Sequence, residues 1–280
     1  MVESLIQASN LSFTYKLPSG GAIPALESID LSITSNEYLV ILGHNGSGKS
    51  TLAKCLSGLL LPTQGEVSVL GWDTREVNLQ RQVRATVGMV LQNPDNQFVA
   101  TVVEEEVAFG AENLGLSTDL VRARVERALE DTGLAELRLA NPHTLSAGQK
   151  ARLAIAGILA MSPQCLVLDE STAMLDPAAR LELLALLRRL HRAGLAIIMI
   201  THYMDEAPEA DRVMVLDTGH IALVGTPREV FGQSGRLDEL GLELPPVAHL
   251  ARNLAQRGLA LGMPLSTPEL ILAYRGEHSG

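Results

Sequence analysis

Apolar and polar residues alternate along residues 5–15 and 29–33, the period of strands with one buried and one exposed face. The pattern then changes to short continuous apolar runs at residues 38–42, 85–91, 165–168, 195–200 and 213–216. Runs of this length, separated by segments with helical spacing, predict strands covered on both faces in a mostly parallel sheet. Between Gln92 and Ser162 no such run occurs, and Leu120, Val125, Ala128 and Leu129 keep a helical spacing. A helical subdomain over about residues 93–162 is therefore expected as an insertion into the sheet. After Pro245 and Pro246, the residues Val247, Leu250, Ala251 and Leu254 fall on one helical face, and Thr267-Pro268-Glu269 reads as another helix start. The predicted class is α/β: a mostly parallel sheet core, an N-terminal β subdomain, an inserted helical subdomain and a small helical C-terminal extension. The main domain is placed at 3–232 and the extension at 233–280.

Composition narrows what such a fold could do. A chain of 280 residues with 46% hydrophobic and 19% charged residues buries one large core and an appendage. A net charge of -10 argues against a protein built to grip nucleic-acid backbone, which needs a basic face. No apolar run reaches the roughly 18 to 20 residues of a membrane span. Met1, Val2, Glu3 and Ser4 do not begin a basic segment followed by an apolar block, so no secretory signal is expected and the cytoplasm is the default. Cys55 and Cys165, far apart in the chain, read as buried thiols rather than a disulfide.

The chemistry begins after the first buried run. Gly43-His44-Asn45-Gly46-Ser47-Gly48-Lys49-Ser50 fits G-x-x-x-x-G-K-[ST] and opens a helix through Leu52, Cys55 and Leu56. Glycines there let backbone N–H groups close around phosphates, Lys49 neutralises the β- and γ-oxygens, and Ser50 can ligate Mg²⁺. Thr51 adds a further phosphate hydrogen bond, whereas His44 has no evident chemical role and reads as a loop-surface residue. The apolar run at 165–168 ends in Asp169-Glu170. Alternation along a strand is expected to aim Asp169 at the metal and Glu170 at the attacking water, making Glu170 the candidate general base.

Leu145-Ser146-Ala147-Gly148-Gln149 stands ahead of an apolar helix carrying Leu153, Ala156, Gly157 and Ala160. The segment resembles the signature motif of ATP-binding-cassette ATPases, with Ala147 departing from the family's usual double glycine. The resemblance covers about residues 3–230 and implies a P-loop NTPase fold with an antiparallel N-terminal subdomain. It implies that Ser146, Gly148 and Gln149 contact ATP held by the phosphate loop of a second subunit. Physically the segment suits that role: Ser146 can cap the helix and the helix N-terminus favours an anion. By the same resemblance Tyr15 stacks on adenine, Gln92 reaches Mg²⁺ and water, Asp176 lies in a loop crossing to the other subunit, and His202 is the switch residue near the γ-phosphate.

A narrower likeness runs through Gln92-Asn93-Pro94-Asp95-Asn96-Gln97-Phe98 and on through residues 101–110, with residues 171–177 pointing the same way. These segments resemble the energy-coupling factor transporter ATPases. That resemblance implies ATP and Mg²⁺ as ligands, and a second ATPase subunit, identical or related, as partner. It further implies a membrane scaffold (T) subunit, a substrate-capturing membrane (S) subunit, and a peripheral position on the cytoplasmic face of the cell membrane. The cargo would be a vitamin or a cobalt or nickel ion. Glu104, Glu105 and Glu106 read as a solvated helix face, in an acidic groove that could receive a basic coupling helix. The C-terminal helices could fold back on the same subunit or pair between subunits, and the resemblance favours pairing. A chromosome- or repair-type ATPase of the superfamily would need a long heptad insertion that is missing here, a small-molecule kinase would not need residues 145–149 or His202, and a translation-type protein would carry two cassettes.

Overall fold

The computed structural model describes residues 4–18 and 20–277. Residues 1–3, which include the expected start of the main domain and most of the N-terminal segment read for a signal, lie outside the described residues, as do 278–280. Two sheets organise the chain. One is antiparallel, in the order β2 (Ala22–Thr34), β1 (Ser4–Lys16), β4 (Gln64–Val69) and β5 (Trp72–Asp73). The other has the order β10 (His220–Gly225), β9 (Arg212–Asp217), β3 (Tyr38–Leu42), β8 (Ala196–Ile200), β7 (Cys165–Asp169) and β6 (Val87–Val90). All its pairings are parallel except that of β10 with β9.

The parallel strands are continuous apolar runs because both of their faces meet a core. Leu39 and Ile41 pack with Leu52 and Leu56 of α1 (Lys49–Leu56) and with the antiparallel sheet, while Tyr38, Val40 and Leu42 pack on the opposite side. That second side is covered by α5 (Ala147–Leu159) and α6 (Pro177–Arg192), through Ile155, Leu183 and Leu187. Every residue of β3, β7 and β8 is buried, and each Leu or Ile so placed contributes roughly 1.5–3 kcal/mol. No helix among the described residues is long and apolar enough to cross a membrane, and both cysteines are buried and free.

Two readings shift in detail. The strand expected over 85–91 begins only at Val87, because α2 (Gln80–Thr86) runs on through Ala85 and Thr86, whose hydroxyl donates to the Gln82 carbonyl at 2.8 Å. In the inserted helical subdomain, α3 (Val103–Asn113) and α4 (Thr118–Thr132) share a separate core with α5. The inward face of α4 runs through Val121, Val125, Ala128 and Leu129, and Leu120 is exposed one position away.

Past residue 232 the chain is not a detached appendage. After α7 (Pro227–Phe231), the segment through α8 (Ser234–Glu239), α9 (Pro246–Ala255) and α10 (Thr267–Glu277) sends Leu237, Leu242, Leu244, Ala248 and Leu265 into the second core. Of the stripe expected on α9, Ala251 is buried, Val247 and Leu254 are half-buried and Leu250 is exposed.

Candidate nucleotide site

The phosphate loop fills the gap between β3 and α1, and its glycines are there for stereochemical reasons. Gly43 has φ 146°, and a Cβ on it would lie 2.2 Å from the Leu216 carbonyl oxygen. Gly48, the N-cap of α1, has φ 103°, and its Cβ would meet the Ala25 carbonyl at 2.4 Å. Asn45 and Gly46 form the exposed tip of the turn. Within the loop the buried Lys49 ammonium donates to the Gly43 and His44 carbonyls, both at 2.8 Å. Burial pulls the Lys49 pKa below the ordinary lysine value, and the carboxylates of Glu170 and Asp169 oppose it. The buried Ser47 hydroxyl has no hydrogen-bond partner among the described residues, a polar atom aimed into a loop built for anions.

Ser50 donates to Asp169 Oδ1 at 2.8 Å, joining the start of α1 to the end of β7. Burial raises the Asp169 pKa, the Ser50 hydrogen bond opposes this, and the nearby Glu170 charge adds to it. No group of three or more His, Cys, Asp or Glu side chains able to hold a metal occurs among the described residues. The Ser50 hydroxyl and the Asp169 carboxylate are oxygen donors of the kind a hard cation takes, leaving its other positions to phosphate oxygens and water. Thr51 shares a hydrogen bond with the Tyr15 hydroxyl at 3.1 Å, and the half-exposed Tyr15 ring stands edge-on to Phe13.

Glu170 is re-aimed by its backbone rather than by strand alternation. The strand β7 stops at Asp169, and Glu170 takes φ 48° while its N–H donates to Ile200 at 3.0 Å, a left-handed conformation that is strained for a non-glycine residue. That turn sets its carboxylate against two other residues read from the sequence. Gln92 Nε2 donates to Glu170 Oε2 at 2.9 Å, and His202 Nδ1 lies 4.0 Å from the same oxygen. Gly43, His44, Asn45, Glu170, His202, Met204 and Leu242 line one cavity of about 440 Å³. Two of these extend the sequence reading. His44, expected on the loop surface without a role, donates from Nε2 to the Leu240 carbonyl at 2.5 Å, and Leu242 belongs to the C-terminal extension. Nothing in a lone loop histidine announces such a partner 196 residues away.

The signature segment is built but stands apart. Ser146 and Gln149 form a reciprocal capping box, Gln149 N–H to Ser146 Oγ at 3.3 Å and Ser146 N–H to Gln149 Oε1 at 2.9 Å. A Cβ on Gly148 would meet the Ala179 Cβ at 2.8 Å, so contact with α6 demands glycine there. Asp176 caps α6 by accepting from the Ala178 and Ala179 N–H groups, each at 3.0 Å. Among the described residues no hydrogen bond joins residues 145–149 or Asp176 to the phosphate loop. Sequence reasoning also missed Arg180, Tyr203 and Glu206, which meet behind His202. An Arg or Glu in an ordinary helix start carries no signal of that kind.

Comparison with known proteins decides the family: the ABC transporter family profile matches residues 26–173. This chain is an ABC transporter ATPase. Within that family it belongs with the energy-coupling factor transporter ATP-binding proteins. It is 53% identical to the protein of that description, EcfA1, from Symbiobacterium thermophilum over 95% of both chains. The Clostridium novyi protein of the same description is 47% identical over 95% of this chain and 96% of its own. Among solved structures, cbiO1 from Clostridium perfringens, described as part of the ABC transporter complex cbiONQ, has a TM-score of 0.75 at 37% identity, covering 89% of this chain and 99% of its own. The dimeric ATP-binding cassette MJ0796 bound to ADP and Pi has a TM-score of 0.72 at 28% identity, covering 80% of this chain and 99% of its own. The ATPase therefore binds and hydrolyses ATP as its family does.

Proposed function

We propose that this ATPase closes with a second ATPase subunit around two ATP molecules. Each ATP would be held by one subunit's Lys49 loop and capped by the other's Ser146 helix. The observation that supports the reading is that the phosphate-loop residues and the signature segment occur in one chain yet share no hydrogen bond among the described residues. In this reading the loop N–H groups, Ser47 and Thr51 bind phosphates, and Lys49 exchanges its carbonyl partners for β- and γ-oxygens. Tyr15 stacks on adenine, and Ser50 and Asp169 hold Mg²⁺ with Gln92 beside them. An ion held there would supply positive charge against the phosphate oxygens. Glu170, oriented by Gln92, takes the proton of the water that attacks the γ-phosphorus, and His202 contacts the γ-phosphate. Ser146, Gly148, Gln149 and Asp176 reach the neighbouring subunit's site.

Loss of the γ-phosphate removes contacts that exist only in the closed pair, so opening follows hydrolysis. Gln92 and the short helical turn at Pro94–Asn96 carry this movement outward; Asp95 in that turn pairs with Lys150 of the signature helix at 2.8 Å. The partners proposed are a membrane scaffold subunit and a substrate-capturing subunit for a vitamin or a cobalt or nickel ion, with the ATPase peripheral on the cytoplasmic face. The cleft of about 1000 Å³ lined by Glu104, Glu105, Glu112, Phe109 and Val99 supports a docking place for a basic, partly apolar helix. Exposed Leu250 and Leu272 support pairing of the C-terminal helices between subunits. The test is Glu170→Gln: ATP binding by calorimetry should persist while turnover falls by about 10²- to 10⁴-fold, and near-normal turnover would remove Glu170 from the role.

A further inference from the structure

We infer that Arg180 is a positioning residue for His202, acting through the ring of Tyr203. The inference rests on the role given to His202 above and deepens it. The His202 side chain is 45% exposed and makes no hydrogen bond among the described residues; its approach to Glu170 is 4.0 Å. Its orientation therefore depends on ring contact. The Tyr203 ring lies against it at 4.2 Å between centroids and 37° between planes. The backbone of Tyr203 is fixed by its N–H donating to Thr201 Oγ1 at 3.0 Å. The ring itself is held by the Arg180 guanidinium, whose central carbon stands 3.9 Å over the ring centroid.

Arg180 is in turn locked on two sides. Its Nε donates to Glu206 Oε1 at 2.6 Å and its terminal nitrogen to Asp205 Oδ1 at 2.7 Å. The Glu206 side chain has no exposed surface and also accepts from Thr172 Oγ1 at 3.2 Å. Thr172 follows Glu170 by two residues, so one buried carboxylate ties the segment after the general base to the segment after the switch histidine. Only a planar guanidinium can stack on the ring and serve both acids at once; a lysine ammonium would answer the charges and leave the ring unsupported.

Arg180→Lys tests this while keeping the buried Glu206 compensated. In the folded variant, shown by an unchanged circular dichroism spectrum, kcat should fall about tenfold with the KM for ATP near wild type, as misplacement of a reacting group predicts. The imidazole ¹⁵N resonances of His202, assigned by their loss in His202→Ala, should shift while those of the other histidines stay. In the His202→Ala background Arg180→Lys should cost nothing further. Unmoved His202 resonances, or the same fold loss in both backgrounds, would overturn the inference. Wild-type turnover by His202→Ala would instead remove His202 from the proposed chemistry, and the resonances would still decide what Arg180 does.

Discussion

Asp169 carries two opposed demands. In the metal-holding role proposed for it the carboxylate must be charged, but it sits where burial favours the protonated form and raises its pKa. For a carboxyl whose folded pKa is raised, the stability it contributes is present below the ordinary carboxylate value and is lost as pH rises through the raised value. Ionised at neutral pH, this residue thus lowers the stability of the metal-free protein, and a cation held there as proposed would offset the effect. Asp169→Asn should raise the melting temperature of the metal-free protein at pH 7, by about 2–4 °C for each kcal/mol relieved, and abolish the further rise that Mg²⁺ with nucleotide gives the wild type. In the wild type that rise should fade on acidification, starting above the pH range of an ordinary aspartate. A scanning calorimetry series in pH checks both signs, and an Asn variant that melts lower than wild type without metal would contradict them. Glu170 shows the limit of reading residues one by one. Its identity and its place after an apolar run were legible, but its aim comes from a left-handed backbone turn and not from strand alternation.

Elements were legible in proportion to how completely they are buried. The runs that became β3, β7, β8 and β9 announced themselves because both faces meet a core. The strands β4, β5 and β10 did not: in β4 only Val67 and Val69 are buried, in β10 only Leu223, and β5 is two residues long. On α3 the three consecutive glutamates divide their work in a way that sequence could not assign. Glu104 pairs with Arg138 at 2.6 Å and Glu106 accepts from the Val99 and Ala100 N–H groups, each at 2.8 Å. Glu105 remains exposed at the cleft, so it is the residue a basic partner would meet. Glu105→Lys should reduce co-purification with the membrane subunits severalfold, mainly by slowing association and more so at low salt, with nucleotide affinity of the isolated chain intact. Undiminished recovery of the complex would place the partner elsewhere.

Seen whole, the molecule wraps its C-terminal extension back to the place where the chemistry is proposed to occur. Leu242 enters the second core and lines the same cavity as Glu170 and His202, and the His44 side chain is bonded to the Leu240 carbonyl while its own carbonyl receives Lys49. Periodicity predicted the extension's helices but had no means of revealing this contact, which depends on tertiary packing alone. His44→Ala should weaken ATP binding about two- to tenfold, the worth of one partly exposed hydrogen bond, and loosen amide protection around residues 240–242 in hydrogen exchange. Unchanged affinity together with unchanged protection would make the contact incidental.

Turnover as proposed requires each catalytic centre to be shared between subunits. The most direct test mixes two variants, Lys49→Ala and Ser146→Arg, each of which spoils both sites of its own dimer by removing a different half. Mixed dimers pair the intact loop of one with the intact signature helix of the other. ATP turnover should be negligible for either variant alone and should reappear on mixing; a mixture as inactive as its components, or full turnover by either variant by itself, would contradict the shared site.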